Sequence, residues 1–176
     1  MRVEAERLYL RPLGDEDCTQ AYADWLNDPE INRYLETRFA VQTPDSVRDF
    51  VRLVNAREGE HLFGIFLLAG DRHIGNIKVG PIGTRHPLAD ISLFIGDRGS
   101  WGKGYASEAI RVLSRHAFDV LGVKKLSASM YAPNFGSYHA FKKAGYREEG
   151  RRRRHYMVED RLCDVIELGL CPEDLT

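Results

Sequence analysis

Three glycines, Gly99, Gly102 and Gly104, crowd one short stretch between an apolar run, Leu88 to Ile95, and a long amphipathic run, Ala106 to Leu121. Glycine admits backbone conformations closed to other residues and lets main-chain N–H groups come close to a ligand. Apolar residues at Ala106, Ala109, Ile110, Leu113, Ala117 and Leu121 keep the spacing of a helix with one face on a core. The stretch therefore reads as strand, glycine loop, helix. A helix start offers unsatisfied N–H donors and about half a unit of positive charge, which suits a phosphate or diphosphate. Two common nucleotide loops fail on spacing. A P-loop on Gly102-Lys103 needs glycine where Asp97 stands and a hydroxyl where Gly104 stands. The dinucleotide fingerprint started at Gly102 needs glycine where Ser107 stands.

What remains, x-x-x-Gly-x-Gly between a strand and a helix, resembles the coenzyme A diphosphate loop of the GCN5-related N-acetyltransferases (GNAT). The fuller string Trp101-Gly102-Lys103-Gly104-Tyr105-Ala106-Ser107-Glu108-Ala109 looks like the branch that acetylates ribosomal protein N-termini and small amines. The resemblance implies that Trp101, Gly102, Lys103, Gly104, Tyr105 and Ala106 hold the diphosphate of acetyl-coenzyme A. The chain departs from the family pattern at Gly99, where Gln or Arg is usual; Arg98 lies one place early. Asn134-Phe135-Gly136-Ser137-Tyr138-His139-Ala140-Phe141-Lys142-Lys143-Ala144-Gly145-Tyr146 resembles the family's second motif. It implies that Asn134 caps a helix or bonds the pantetheine arm, and that Lys143 reaches the 3′-phosphate.

Acyl transfer from a thioester to an amine needs a neutral amine held against the carbonyl. It also needs a donor for the oxyanion and a proton or hydrogen bond for the thiolate. Many relatives protonate the thiolate with a tyrosine at the position of Phe141, which has no proton to give; Ser137, one turn earlier, is then the candidate, with Tyr138 the weaker one. Main-chain amides of Leu93, Phe94 and Ile95 are expected to serve the carbonyl and pair with pantetheine. Asp90, at the start of that strand, is the candidate base. A carboxylate of pKa about 4 would act on an ammonium of about 10 through water and by attracting the cation. Tyr34, Glu36 and Arg38 lie in the segment that covers the acceptor site in relatives. His73 and His86 are alternatives with a structural reading beside them, and Glu108 reads as a structural first-turn carboxylate. Arg151-Arg152-Arg153-Arg154-His155 invites a nucleic-acid reading, but strand alternation splits it over two faces beside Glu148, Glu149, Glu159 and Asp160.

These groups need positioning elements. Arg7 to Leu13 alternates as a first strand. Asp15 is placed to cap a helix with Cys18, Tyr22, Trp25 and Leu26, and Asp28-Pro29 to start a second through Leu35. Thr43-Pro44 opens a third, with Val47, Phe50, Val51 and Val54 on one face. His61–Leu68 and His73–Val79 form a hairpin, and Leu88–Ile95 precedes the glycine loop. A strand over 123–130, a helix over 134–144 and two strands around Glu159-Asp160 complete the chain. The expected class is mixed α+β, with 1–176 as one domain. The order is that of the GNAT fold. The resemblance implies a mostly antiparallel sheet of about six or seven strands, splayed between the fourth and fifth, with about four flanking helices.

The chain has 176 residues, 43% apolar, with a formal charge of −1, which gives no argument for a membrane or nucleic-acid partner. There is no ~20-residue apolar run and no signal-peptide pattern. Cys18, Cys163 and Cys171 suit neither a disulfide framework nor a zinc site. A cytoplasmic, metal-free acetyl-coenzyme A-dependent N-acetyltransferase is expected, working by direct attack. Its acceptor is a small amine or nucleotide-linked amino sugar, with a ribosomal protein or peptide N-terminus next, and a homodimer stays open. A catalytically silent acyl-coenzyme A sensor or scaffold is the alternative, kept alive by Phe141.

Overall fold

The computed structural model describes residues 2–175. The order is β1 (Val3–Glu4), β2 (Leu8–Pro12), α1 (Gln20–Asn27), α2 (Pro29–Asn32), α3 (Pro44–Asn55), β3 (His61–Leu67) and β4 (His73–Val79). Then follow β5 (Leu88–Ile95), α4 (Tyr105–Asp119), β6 (Lys125–Tyr131), α5 (Phe135–Lys143), β7 (Arg147–Val158) and β8 (Arg161–Leu170). Local chemistry sets most starts. Asp28 accepts the Glu30 N–H at 2.9 Å ahead of Pro29. Thr43 and Ser46 exchange reciprocal hydrogen bonds ahead of α3. Two expectations need correction. Thr19, not Asp15, caps α1, because Asp15 is drawn into a short 3₁₀ turn at Asp15–Asp17. Phe50 is exposed, since α3 buries the narrower stripe Val47, Val51 and Val54.

Among the described residues the sheet has eight strands, in the order β1-β2-β3-β4-β5-β6-β8-β7. The strand beyond the expected six or seven is β1, a two-residue edge paired with β2 through Val3↔Leu10 and Glu4↔Tyr9. Every pairing is antiparallel except β5 with β6, which is parallel and holds for Leu88↔Lys125, Ala89↔Leu126 and Asp90↔Ser127. Past Asp90 the two strands separate. One sheet face carries α4 and α5 over Ile77, Ile91, Leu126 and Leu168, with Ile110, Leu113 and Phe141 buried between. Each such side chain contributes about 1.5–3 kcal/mol of burial. The other face carries α1 and α3 over Tyr9, Leu62 and Phe66. Both layers leave the β5–β6 parting uncovered by a strand, and the candidate site lies there.

Candidate active site

Between β5 and α4 the loop is drawn tight by its own side chains. Asp97 accepts from the Gly99 amide at 3.2 Å and from the Ser100 hydroxyl at 2.6 Å. Gly102 and Gly104 take φ of +72° and +82°, the left-handed region that disfavours a side chain. Gly104 is the N-cap of α4 and supplies no side-chain acceptor, and the first helical bond is Glu108 N–H to Gly104 O at 3.1 Å. Among the described residues, no chain acceptor takes the amides from Gly102 to Ser107. The loop therefore presents a run of free donors at a helix start. Lys143 of α5 faces the same loop. A cleft of about 460 Å³ is lined by Glu6, Arg7, Gly104, Ser107, Glu108, Arg111 and Lys143.

The free edge of β5 begins where β6 leaves it. Gly80 N–H bonds Asp90 O at 3.0 Å and Gly96 N–H bonds Ile74 O at 2.9 Å, which sets the phase of the β4–β5 ladder. Because antiparallel bonding alternates, Ser92 and Phe94 spend their amides on Lys78 and Asn76, while Leu93 and Ile95 turn theirs to the gap. Phe94 is thus removed from the expected main-chain donors. Its side chain packs instead near Tyr22 and Trp25, with ring centroids 6.0 and 6.5 Å away. The Ile95 carbonyl is already taken by the Trp101 indole N–H at 2.8 Å, so Trp101 ties the loop to the gap edge.

At the start of α5, Asn134 Oδ1 accepts the Ser137 N–H at 3.2 Å. The Ser137 side chain is half-buried, and among the described residues its hydroxyl has no chain partner. Tyr138 is turned away, its hydroxyl donating to Glu148 at 3.3 Å. Phe141 is buried edge-on against Tyr146, with centroids 4.9 Å apart.

The opposite wall is built from side chains. Asp90, Ser92, Ser127, Ser129 and Glu167 share the sheet face away from α4, as cross-strand register requires. Ser129 donates to Glu167, which also pairs with Arg152 at 2.8 Å. Lys78 is engaged by Glu60 at 2.8 Å. Partial burial raises the Asp90 pKa above the ordinary carboxylate value, and the charge of Glu167 adds to the rise. Tyr131 closes the far end, donating to Glu36 and accepting from Arg38 at 3.1 Å. Arg38 also donates to the carbonyls of Leu35, at 2.8 Å, and Met157, at 3.3 Å. The Tyr34 ring lies 5.9 Å from that of Tyr131, and its hydroxyl donates to Pro133 O at 3.3 Å. Tyr34, Glu36 and Arg38 are brought together by Tyr131. Tyr131 and the wall carboxylate Glu167, which holds Ser129 and Arg152, were missed. Their phase with Ser127 and Ser129 along β6 and β8 was the available clue.

His73 is not in the gap. Its Nε2 sits 2.7 Å from Asn76 Oδ1 and its ring stacks on Phe66, and burial lowers its pKa. His86 is exposed on the loop before β5, beyond the paired end of that strand. The arginine run is dispersed as well. Arg151 pairs with Asp164 at 3.5 Å, Arg152 with Glu167, and the Arg154 N–H with Asp164 at 2.9 Å. Among the described residues no group of three His, Cys, Asp or Glu side chains could hold a metal ion, and no helix is long and apolar enough to cross a membrane.

Comparison with known proteins gives a consistent result. The acetyltransferase (GNAT) domain family matches residues 7–147. An uncharacterized N-acetyltransferase, p20, of Bacillus licheniformis is 30% identical over 169 residues, covering 94% of this chain and 93% of that protein. Spermidine N-acetyltransferase from Vibrio cholerae, solved with CoA and spermine, superposes with a TM-score of 0.83 at 20% identity, covering 96% and 97% of the two chains. Ribosomal-protein-S5-alanine acetyltransferase from Vibrio fischeri gives 0.84 at 17% identity, covering 100% and 99%. At such identities the two structures establish the shared fold.

Proposed function

The chain belongs to the acetyltransferase (GNAT) family, as an acetyl-coenzyme A-dependent N-acetyltransferase, and on that premise we propose that it acetylates a small cationic primary amine by direct attack. One observation carries the reading. The free amides from Gly102 to Ser107 lie at one end of the same gap whose other wall carries Asp90, Glu167 and Glu36. The amides suit the diphosphate, with Lys143 beside them for a further phosphate. The amides of Leu93 and Ile95 suit the pantetheine arm and the thioester carbonyl.

Asp90 attracts the acceptor ammonium and takes its proton through water, leaving a neutral amine. The amine nitrogen attacks the thioester carbon, a C–N bond forms and the C–S bond breaks. The Ser137 hydroxyl donates a hydrogen bond to the sulfur as negative charge collects there. The second amine proton passes into solvent, from which the thiolate takes a proton and departs as the thiol. Carboxylates on the acceptor wall favour a polyamine-like or amino-sugar acceptor. A peptide N-terminus is the next candidate.

Thiol release from acetyl-coenzyme A, measured with polyamines, amino sugars and peptides bearing a free α-amine, tests the proposal. Turnover fastest with a small cationic amine is expected. Turnover confined to peptides would overturn the acceptor class, and coenzyme A binding without turnover on any amine would favour a silent module.

A further inference from the structure

Glu108 sits in the first turn of α4, its side chain only 13% exposed, at the mouth of the free amides. A carboxylate there favours the helix dipole but repels a bound diphosphate. The chain answers this with Arg7, the residue just before β2. Its main-chain N–H donates to one carboxylate oxygen of Glu108 at 2.7 Å, and its Nε donates to the other at 2.8 Å. The Nη2 atom lies 2.7 Å from that second oxygen. Nη1 donates to the Lys103 carbonyl at 3.0 Å, inside the glycine loop. The guanidinium also lies 4.8 Å from the centre of the Tyr105 ring, and its Nη2 is 3.5 Å from where a Cβ on Gly104 would stand. One side chain thus reaches the loop at Lys103, the first helical residue and the offending carboxylate, and borders the cap at Gly104. Nothing in the acyl-transfer scheme uses it.

We infer that Arg7 is a positioning residue for acetyl-coenzyme A. Its clasp on Glu108 and Lys103 fixes the loop in the form that presents the amides, and its charge cancels the carboxylate that would otherwise face the diphosphate. The inference rests on the reading of the glycine loop as the coenzyme A site. Arginine suits the task because its planar fork bonds a carboxylate and a carbonyl together, which a lysine ammonium does less well.

The test is coenzyme A affinity by calorimetry, with steady-state kinetics, for Arg7→Ala, Arg7→Lys, Glu108→Gln and the double variant Arg7→Ala with Glu108→Gln. Arg7→Ala should weaken coenzyme A and raise the KM for acetyl-coenzyme A about tenfold, with kcat at saturation within about twofold of wild type. Arg7→Lys should recover part of the loss, and it serves if Arg7→Ala folds poorly. Glu108→Gln alone should weaken binding a few-fold by loosening the clasp. In the Arg7→Ala background the same change should tighten binding, because it removes a bare negative charge. That reversal of sign marks electrostatic positioning. A double variant that binds no better than Arg7→Ala, or an Arg7→Ala protein that binds as wild type does, would overturn the inference. Wild-type protein that bound no coenzyme A would overturn the reading of the loop itself, and this inference with it.

Discussion

On the α4 side of the gap the proposed functional groups are main-chain amides, from Gly102 to Ser107 and at Leu93 and Ile95. On the opposite side they are side chains: Asp90, Glu167, Glu36, Arg38 and Tyr131, drawn from four separate strands and loops. The first wall depends on backbone shape, which a few glycines and one cap determine. The second depends on long-range convergence, since Tyr131 and Arg38 lie 93 positions apart and meet only through the fold. A backbone wall suits a cosubstrate that does not change, because drift in side chains leaves it intact. A side-chain wall can be re-cut for a new acceptor without touching the donor site.

The contrast can be broken most severely at Gly104. Its φ of +82° and the nearby Arg7 Nη2 leave a β-branched residue strained and crowded, and on the proposed reading it would stand in the phosphate's path. Gly104→Val should lower acetyl-coenzyme A affinity on the order of 100-fold, combining ~1–3 kcal/mol of backbone strain with obstruction, as read by calorimetry. Ser137→Ala separates chemistry from binding on the same side. A fall in kcat of about 30-fold with unchanged coenzyme A affinity is expected, because the proposed bond strengthens as sulfur gains charge. Equal losses in kcat and affinity would recast Ser137 as a binding residue.

Tyr131→Phe probes the other wall. It strips Glu36 and Arg38 of a shared partner and should raise the acceptor KM about tenfold, leaving the KM for acetyl-coenzyme A alone. A matched rise in both would mean that the two walls are not separable. The smallest effect is expected from Glu167→Gln. Burial and the Glu167 charge hold the Asp90 pKa above its ordinary value, so ionised Asp90 costs the folded state some stability once the pH is above that pKa, and none well below it. Removing the neighbouring charge should lower that pKa. The acid limb of the pH–rate profile should then move to lower pH, by a modest amount because Asp90 is only partly buried and solvent screens the Glu167 charge. An upward move would remove Asp90 from the proton path.

Much of the donor side was legible residue by residue. Gly102 and Gly104 marked the left-handed turns and Asn134 the cap of α5, because each acts through its own backbone or its immediate neighbours, whereas the missing hydroxyl at Phe141 was visible only against the family pattern. Phe94 was misassigned because its place in the β4–β5 ladder depends on register with β4, which nothing within β5 encodes. Asp28-Pro29 and Thr43-Pro44 announced their helices, whereas Thr19 overtook Asp15 as a cap only through the turn at Asp15–Asp17.

By itself the sequence determined the order of elements, the glycine loop and its suitability for a phosphate group, since periodicity, caps and glycines act within a few residues. The class of cosubstrate came from the resemblance of that loop to a known family. Only the tertiary structure decided that Arg7 clasps Glu108, that β5 and β6 part after Asp90, and that Tyr131 gathers Glu36 and Arg38. The physical reason is one of range: these contacts join distant segments, and their formation depends on how two packed layers place the strands between them.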